Sequence, residues 1–501
     1  MASAPPQAET ARTAVASIGD AFPPAFPGLQ ALLPTEAAVF GVLGLAFCLQ
    51  LLFVDGASGP GRSFGLNNPV FGLWLLSAAG AASVVRRALA RPRFVWSARL
   101  LGLVTLFLFL STFRWHGSDD LPTSLLPFCL WHGSLTLDRF APWFAGYQHN
   151  AVVASNGRLI SFYPIPPALL SLPLYLLPAL RGVTPDDHVL HQLEKCSASL
   201  ISALAVMTLF KVFEKRAPRR EAFALALVYA LGTSTFDLCS QALWQHGTSC
   251  LALAGCLWAM DAAEADGRFW YGLGFLSAAA VASRSTNVLF AAGFLVAALA
   301  SGGSRAAWKM LAGAAVPGAL ALAYWVWGTG MPLPPDLAFN IDGMAFPPSA
   351  QAVAGLLVSP KRGLLLFSPV ALFAASGAWR VLTSAGNPRR QQTAFILLSA
   401  VAANFLLFSC SKVWGGGFSS GPRYLIEGLT VLFYFLPDAA PLAAAGSVKR
   451  AAWAAAVAVS IACHAVGGFA RWSWEDDPAC GIWSPVSYPP VHLISGYIRQ
   501  K

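Results

Sequence analysis

Apolar residues in this chain run in long blocks instead of alternating with polar ones. Blocks at 37–54, 69–87 and 97–113 open the pattern. Others follow at roughly 193–213, 221–237, 247–264, 269–284, 287–301, 306–327, 363–383, 392–410, 422–442 and 450–469. The longer ones hold about 17 to 22 residues, the length an α-helix needs to cross roughly 30 Å of hydrocarbon. The pattern therefore predicts an all-α integral membrane protein with about thirteen transmembrane helices. Between the blocks, 114–192 is an extracytoplasmic loop with polar turns, aromatics and one Pro-rich apolar run, 168–180, too short to cross comfortably. We read that run as helix lying along the interface. The remaining divisions are a disordered, Ala- and Pro-rich cytoplasmic stretch at 1–36, three helices at 37–113, helices at 193–327, an extracytoplasmic loop at 328–362, helices at 363–469 and an extracytoplasmic tail at 470–501.

Composition sharpens the class. Of 501 residues, 56% are hydrophobic and only 11% charged, against roughly 25% charged in soluble domains. A soluble chain of this length could not cover its surface with so few ionisable groups. The net charge of +10 does not point to nucleic acid, because no basic face with interleaved aromatics is present. Instead the bases crowd into alternate loops: Arg86 to Arg93, Lys211 to Arg220, Arg268, Arg305 with Lys309, Arg380 with Arg389 and Arg390, and Lys449 with Arg450. That alternation puts these loops and the N-terminus in the cytoplasm and the tail outside. The first 36 residues carry Glu9 and lack a basic start followed by a short apolar core, so they do not form a cleavable signal. The nine cysteines include no CxxC pair and lie mostly in apolar blocks, which makes them small core residues. No ligand spacing marks a metal, and no cofactor is expected. The Ala-, Gly- and Arg-rich composition points to a GC-rich bacterial genome, and so to the inner membrane with a periplasmic active face.

Charges left outside by the orientation rule need another reason. Acids follow the third block, in Ser118-Asp119-Asp120-Leu121-Pro122. They suit either a helix N-cap or a general base where an aqueous acceptor meets a lipid-borne donor. Bases stand at outer span ends: Arg284, the pair Lys361-Arg362, Lys412 and Arg423 beside Tyr424. Singly, such residues snorkel to headgroups. Together they form a site for a phosphate or diphosphate. Gly363 opens a helix whose N–H groups add to an anion site, and the glycines of Trp414-Gly415-Gly416-Gly417-Phe418 allow close backbone approach to a ligand. Tyr163, His246 and Trp414 are candidate substrate contacts. The tail Trp472-Ser473-Trp474-Glu475-Asp476-Asp477-Pro478 is an interfacial anchor or a sugar-stacking surface.

From about residue 97 onward, this order resembles the GT-C membrane glycosyltransferases that use polyprenyl-phosphate sugars, among them protein mannosyltransferases and lipid A aminoarabinose transferases. The resemblance rests on an outward helix followed at once by Asp119-Asp120, on Phe162-Tyr163-Pro164-Ile165-Pro166-Pro167, and on Arg284 at a later helix end. It also rests on Ser359-Pro360-Lys361-Arg362-Gly363 running to Ser368-Pro369, and on Trp414-Gly415-Gly416-Gly417-Phe418 with Gly421-Pro422-Arg423-Tyr424. It implies inverting transfer of a sugar from a polyprenyl phosphate to an acceptor hydroxyl on a lipid, glycan or protein, with Asp119 or Asp120 as base and the cations holding the phosphate. Departures are the two extra leading spans, a short tail where some relatives carry a soluble domain, and Asp120 where Glu is usual. Two rivals remain: a transporter or flippase, which expects charges midway along its helices, and a ligase that moves a whole glycan from a polyprenyl diphosphate.

Overall fold

The computed structural model describes residues 96–112, 119–144, 152–155, 157–332, 334–384, 386–439, 447–470, 472–477 and 480–499. The blocks at 37–54 and 69–87, the basic loop 86–93, the stretch 1–36 and the approach to the acids at 113–118 lie outside the described residues.

The described chain is mostly helix. It begins with α1 (Ala98–Leu110), α2 (Leu121–Trp131) and a hairpin of β1 (Val152–Ser155) and β2 (Arg158–Ser161). Next come α3 (Pro166–Leu180), α4 (Asp187–Phe213), α5 (Arg219–Leu231), α6 (Gln245–Ala263), α7 (Phe269–Ser283) and α8 (Val288–Thr329). The remainder holds α9 (Pro335–Asp342), α10 (Ala350–Val358), α11 (Ala371–Thr383), α12 (Pro388–Ser409), α13 (Ile426–Phe433), α14 (Ser447–Phe469) and α15 (Pro489–Arg499). Four helices are long and apolar enough to cross a membrane: Val189–Phe213, Ser285–Thr329, Pro388–Ser409 and Val448–Phe469. With the composition, they make the chain an integral membrane protein.

Local chemistry sets the ends. Asp186 Oδ1 accepts from Val189 N at 2.7 Å and starts α4, while Asn387 caps α12 ahead of Pro388 at its first position. Gly303 divides α8, with φ 66° and ψ −164°, a backbone region open only to glycine. Before this break, the helix reaches from the C-terminal end of α7 back to Trp270, against which Gly302 packs. After it, Lys309 donates to Gly267 O at 3.1 Å and the helix returns along α7. A 42-residue helix thus folds into two arms, divided where the sequence ends one span at 301 and begins another at 306.

Two expectations change. The all-α assignment gains the antiparallel pair β1–β2, with Val152 opposite Ser161 and Ser155 opposite Arg158. Its turn passes through Gly157 at φ 76°, so the Asn156-Gly157 pair in the sequence is the hairpin signal the hydropathy pattern misses. The run 363–383 is not one helix either. A single turn over Leu364–Phe367 stops at Ser368, ahead of Pro369, and α11 starts at Ala371.

The main core runs from α1, α4, α5 and α6, where Trp96 and Phe210 meet Phe223 at centroid distances of 4.9 and 6.2 Å, through α7 and α8 to α11, α12 and α13. A second cluster joins α2, α3 and the start of α4 through Leu125, Phe128, Tyr175 and Leu193.

Candidate active site

At one end of the bundle, Asp119, Thr123, Tyr163, Leu243, Trp244, Gln245, His246 and Arg423 line a small cleft. Four of these, Asp119, Tyr163, His246 and Arg423, are candidates from the sequence, and they come from chain segments up to 304 residues apart. The fold assembles them through short element ends. Asp119 immediately precedes α2, Tyr163 follows β2, and Trp244, Gln245 and His246 open α6. Arg423 opens the single turn before α13.

Asp119 and Asp120 part company here. Asp119 keeps 39% of its side chain exposed, and one of its oxygens lies 3.4 Å from Arg423 Nη2. Asp120 is fully buried, and its carbonyl accepts from Thr123 Oγ1 at 2.7 Å and from Ser124 N at 2.9 Å. Of the two carboxylates, only Asp119 lines the cleft.

The wall is left with polar atoms to spare. Trp244 Nε1, Gln245 Oε1 and Arg423 Nε are buried without a hydrogen-bond partner among the described residues. Such groups are rare in folded proteins and costly unless a ligand or water meets them. All three residues line the cleft.

Behind the wall is an ion-paired layer that includes a residue the sequence reading passed over. Glu427, in the first turn of α13, accepts from Arg284 Nη1 at 3.0 and 3.1 Å and lies 2.8 Å from His246 Nδ1. All three are at least 95% buried. Arg284 also sits over the rings of Phe408 and Tyr424, at 5.2 and 5.4 Å, and these rings stack on each other at 4.6 Å. Arg284 and Tyr424 therefore stand behind His246, and the cleft is not lined by them. Glu427 is carried inside an apolar helix that reads as a span, so only its partners reveal it.

The other predicted cations lie elsewhere. Arg362 donates to both Glu475 oxygens at 2.9 and 2.8 Å, to Gly417 O at 2.6 Å and to Gly415 O. Lys361 donates to the carbonyls of Trp474 and Cys480 and lies 3.4 Å from Glu475. These two bind the tail to the glycine loop. Lys412 is exposed and makes no ion pair among the described residues. Trp414 is buried beneath α10, its ring where a side chain at Gly355 would stand, so it packs in the core away from the cleft. From the tail, Trp472 stacks on Trp244 at 5.9 Å, so that segment backs the cleft.

Further buried polar groups support this end. Glu194 accepts from Ser124 Oγ at 2.9 Å and from Leu243 N at 3.0 Å. Lys195 donates to Thr112, Ser240 O and Gln241. Ser368 Oγ lies 2.8 Å from His464 Nε2, whose Nδ1 is 3.0 Å from Asp237. All three are fully buried, so this Ser–His–Asp arrangement ties helices together with no access for a reactant.

No family model matches the chain, and no curated protein matches it. Among solved structures, it is similar to the oligosaccharyltransferase of Archaeoglobus fulgidus in its apo form, at 12% identity and a TM-score of 0.37. It is likewise similar to the oligosaccharyltransferase AglB from the same organism in complex with an inhibitory peptide and a dolichol-phosphate, at 12% identity and a TM-score of 0.40. Each match covers 83% of this chain and 58% of the other, so the chain spans less than two thirds of these neighbours' length.

Proposed function

We propose that the chain is a membrane glycosyltransferase that moves a sugar from a polyprenyl phosphate to an acceptor hydroxyl at the cleft. The observation that carries this reading is the pairing of Asp119 with Arg423 at 3.4 Å beside buried, unpartnered polar atoms. In the reaction, Asp119 takes the proton of the acceptor hydroxyl as its oxygen attacks the anomeric carbon. A new C–O bond forms with inversion while the bond from that carbon to the phosphate oxygen breaks. The electron pair leaves with the phosphate, and Arg423 stabilises the charge at the low-dielectric edge. Tyr163, Gln245 and Trp244, which line the cleft, contact the sugar in this reading. His246, held beside the Glu427–Arg284 pair, shapes the wall. Lys361 and Arg362 contribute by fixing the glycine loop and tail. The reaction as written uses only the chain's own groups.

This reading keeps the wider topology of about thirteen crossings, a cytoplasmic N-terminus and an extracytoplasmic cleft in a bacterial inner membrane, with the prenyl chain lying in lipid between helices. The test is transfer from a panel of radiolabelled polyprenyl-phosphate sugars in reconstituted membranes. Asp119→Asn is expected to lose about 100-fold or more of the transfer, the scale of general-base catalysis, while remaining folded and inserted. Arg423→Gln should fall with it. Undiminished transfer in Asp119→Asn removes the carboxylate from the mechanism. Transfer only from a diphosphate-linked glycan would make the chain a ligase.

A further inference from the structure

The tail carries a cluster that the transfer reaction does not use. Asp477, Cys480 and His492 bring a carboxylate oxygen, a thiol sulfur and an imidazole nitrogen within 4.8 Å of one another. We propose that they bind a zinc-class divalent cation, which pins α15 to the segment backing the cleft.

The donor set is that of zinc: one soft sulfur, one imidazole and one carboxylate. Cys480 Sγ lies 3.4 Å from His492 Nδ1. Zn–S and Zn–N bonds of ordinary length, set at a tetrahedral angle, hold sulfur and nitrogen about 3.6 Å apart. The ligands therefore stand close to where the ion needs them. The framework is built as well. Cys480 N donates to Asp477 O at 2.9 Å, which ties the backbones of these two ligands together. Lys361 Nζ donates to Cys480 O at 3.1 Å and anchors Cys480 to the bundle. His492 sits in the first turn of α15, its N–H donating to Tyr488 O at 2.9 Å and its ring edge-on to buried Trp474 at 6.1 Å. Cys480 itself is only 4% exposed and packs with Trp244, Trp472 and Trp474.

Binding replaces the thiol S–H with a sulfur–metal bond and releases one proton to solvent, with no change in oxidation state. Three protein ligands leave a fourth position for water. Because Trp472 stacks on Trp244 of the cleft, a cation here joins α15 to the described tail residues behind the site.

The test uses the full chain, purified in nanodiscs, stripped with chelator and titrated with cobalt(II) and then zinc. One equivalent of cobalt should bind with a near-ultraviolet sulfur-to-cobalt charge-transfer band, which zinc then removes. Cys480→Ser should lose the band, and His492→Gln should lose the binding. Zinc should raise the melting temperature of the native chain and leave that of Cys480→Ser unmoved. Asp477→Asn, the mildest change, should keep the band with weaker affinity and so shows that folding is intact. No band in the native chain, or a band that survives Cys480→Ser, overturns the proposal and leaves the cluster as a thiol–imidazole hydrogen bond.

Discussion

Arg284, His246 and Glu427 show how a buried charge shapes the cleft without entering it. Glu427 is 1% exposed and balances a guanidinium that is nearly as buried. Removing one partner of such a pair strands the other and costs about 3–5 kcal/mol, whereas replacing both with apolar groups of similar volume is often close to neutral. Glu427→Gln is therefore expected to lower stability by about 3 kcal/mol and to loosen His246. Glu427→Met combined with Arg284→Met should recover most of that loss. Thermal unfolding of the three proteins in one detergent decides it. An unshifted Glu427→Gln midpoint would mean the pair is not formed.

Among elements, α7 and the second arm of α8 approach closely, and glycine makes it so. A Cβ on Gly274 would stand 1.8 Å from Met310 O, and one on Gly313 would stand 2.0 Å from Tyr271 O. Small residues at such crossings let helix backbones approach in lipid, where packing replaces the hydrophobic drive. Gly274→Ala is expected to push these helices apart and lower the melting temperature by several degrees. Gly272→Ala, whose Cβ meets nothing within 4 Å, should be neutral or gain up to about 1 kcal/mol from helix propensity. Equal behaviour of the two variants in a melting assay would refute the crossing. Gly303 works differently: its positive φ, not its size, folds α8 into two arms that keep Arg284 and the β-hairpin at one end of the bundle, where Arg158 sits over Trp327.

Across the described residues, ionisable groups gather at the two ends of the bundle. One end holds Asp119, Glu194, Lys195, Asp237, His246, Arg284, Arg423, Glu427 and His464. At the other end, Arg216 meets Asp261 at 2.6 Å, Tyr434 donates to Asp261, and Arg390 pairs with Asp438. Along α4, Lys195 and Lys211 are 16 positions apart, roughly 24 Å of helix rise, close to the thickness of a bilayer core. Among the described residues, no Asp, Glu, Lys or Arg falls within the middle stretches of α4, α6, α12 or α14. A transport path expects charges at mid-depth, so this distribution favours chemistry at one face. At this scale the tail is a strap, held by Glu475 between Arg362 and Lys361. Glu475→Ala is expected to free it, seen as faster limited proteolysis between 472 and 492 while the helices remain protected. Unchanged cleavage would show that the apolar contacts of Trp472 and Trp474 suffice.

Membrane embedding and the two-ended charge pattern were legible in the sequence because both follow from the solvent. Hydrocarbon requires long apolar helices and drives charges to their ends, and neither effect depends on how the helices pack. Asp119, Tyr163, His246 and Arg423 were legible for the same reason, as polar groups at one set of helix ends. Which of these share a cleft is a matter of packing. Arg284 and Arg362 have the same chemistry and the same kind of position, yet one faces Glu427 behind the cleft and the other Glu475 in the tail. Asp119 and Asp120 are adjacent in sequence, and only the start of α2 turns one outward and buries the other. Cys480 reads as one more small core residue until α15 brings His492 to 3.4 Å. Pairing across hundreds of residues depends on helix crossings and turn geometry, which the order of residue types along the chain does not encode locally.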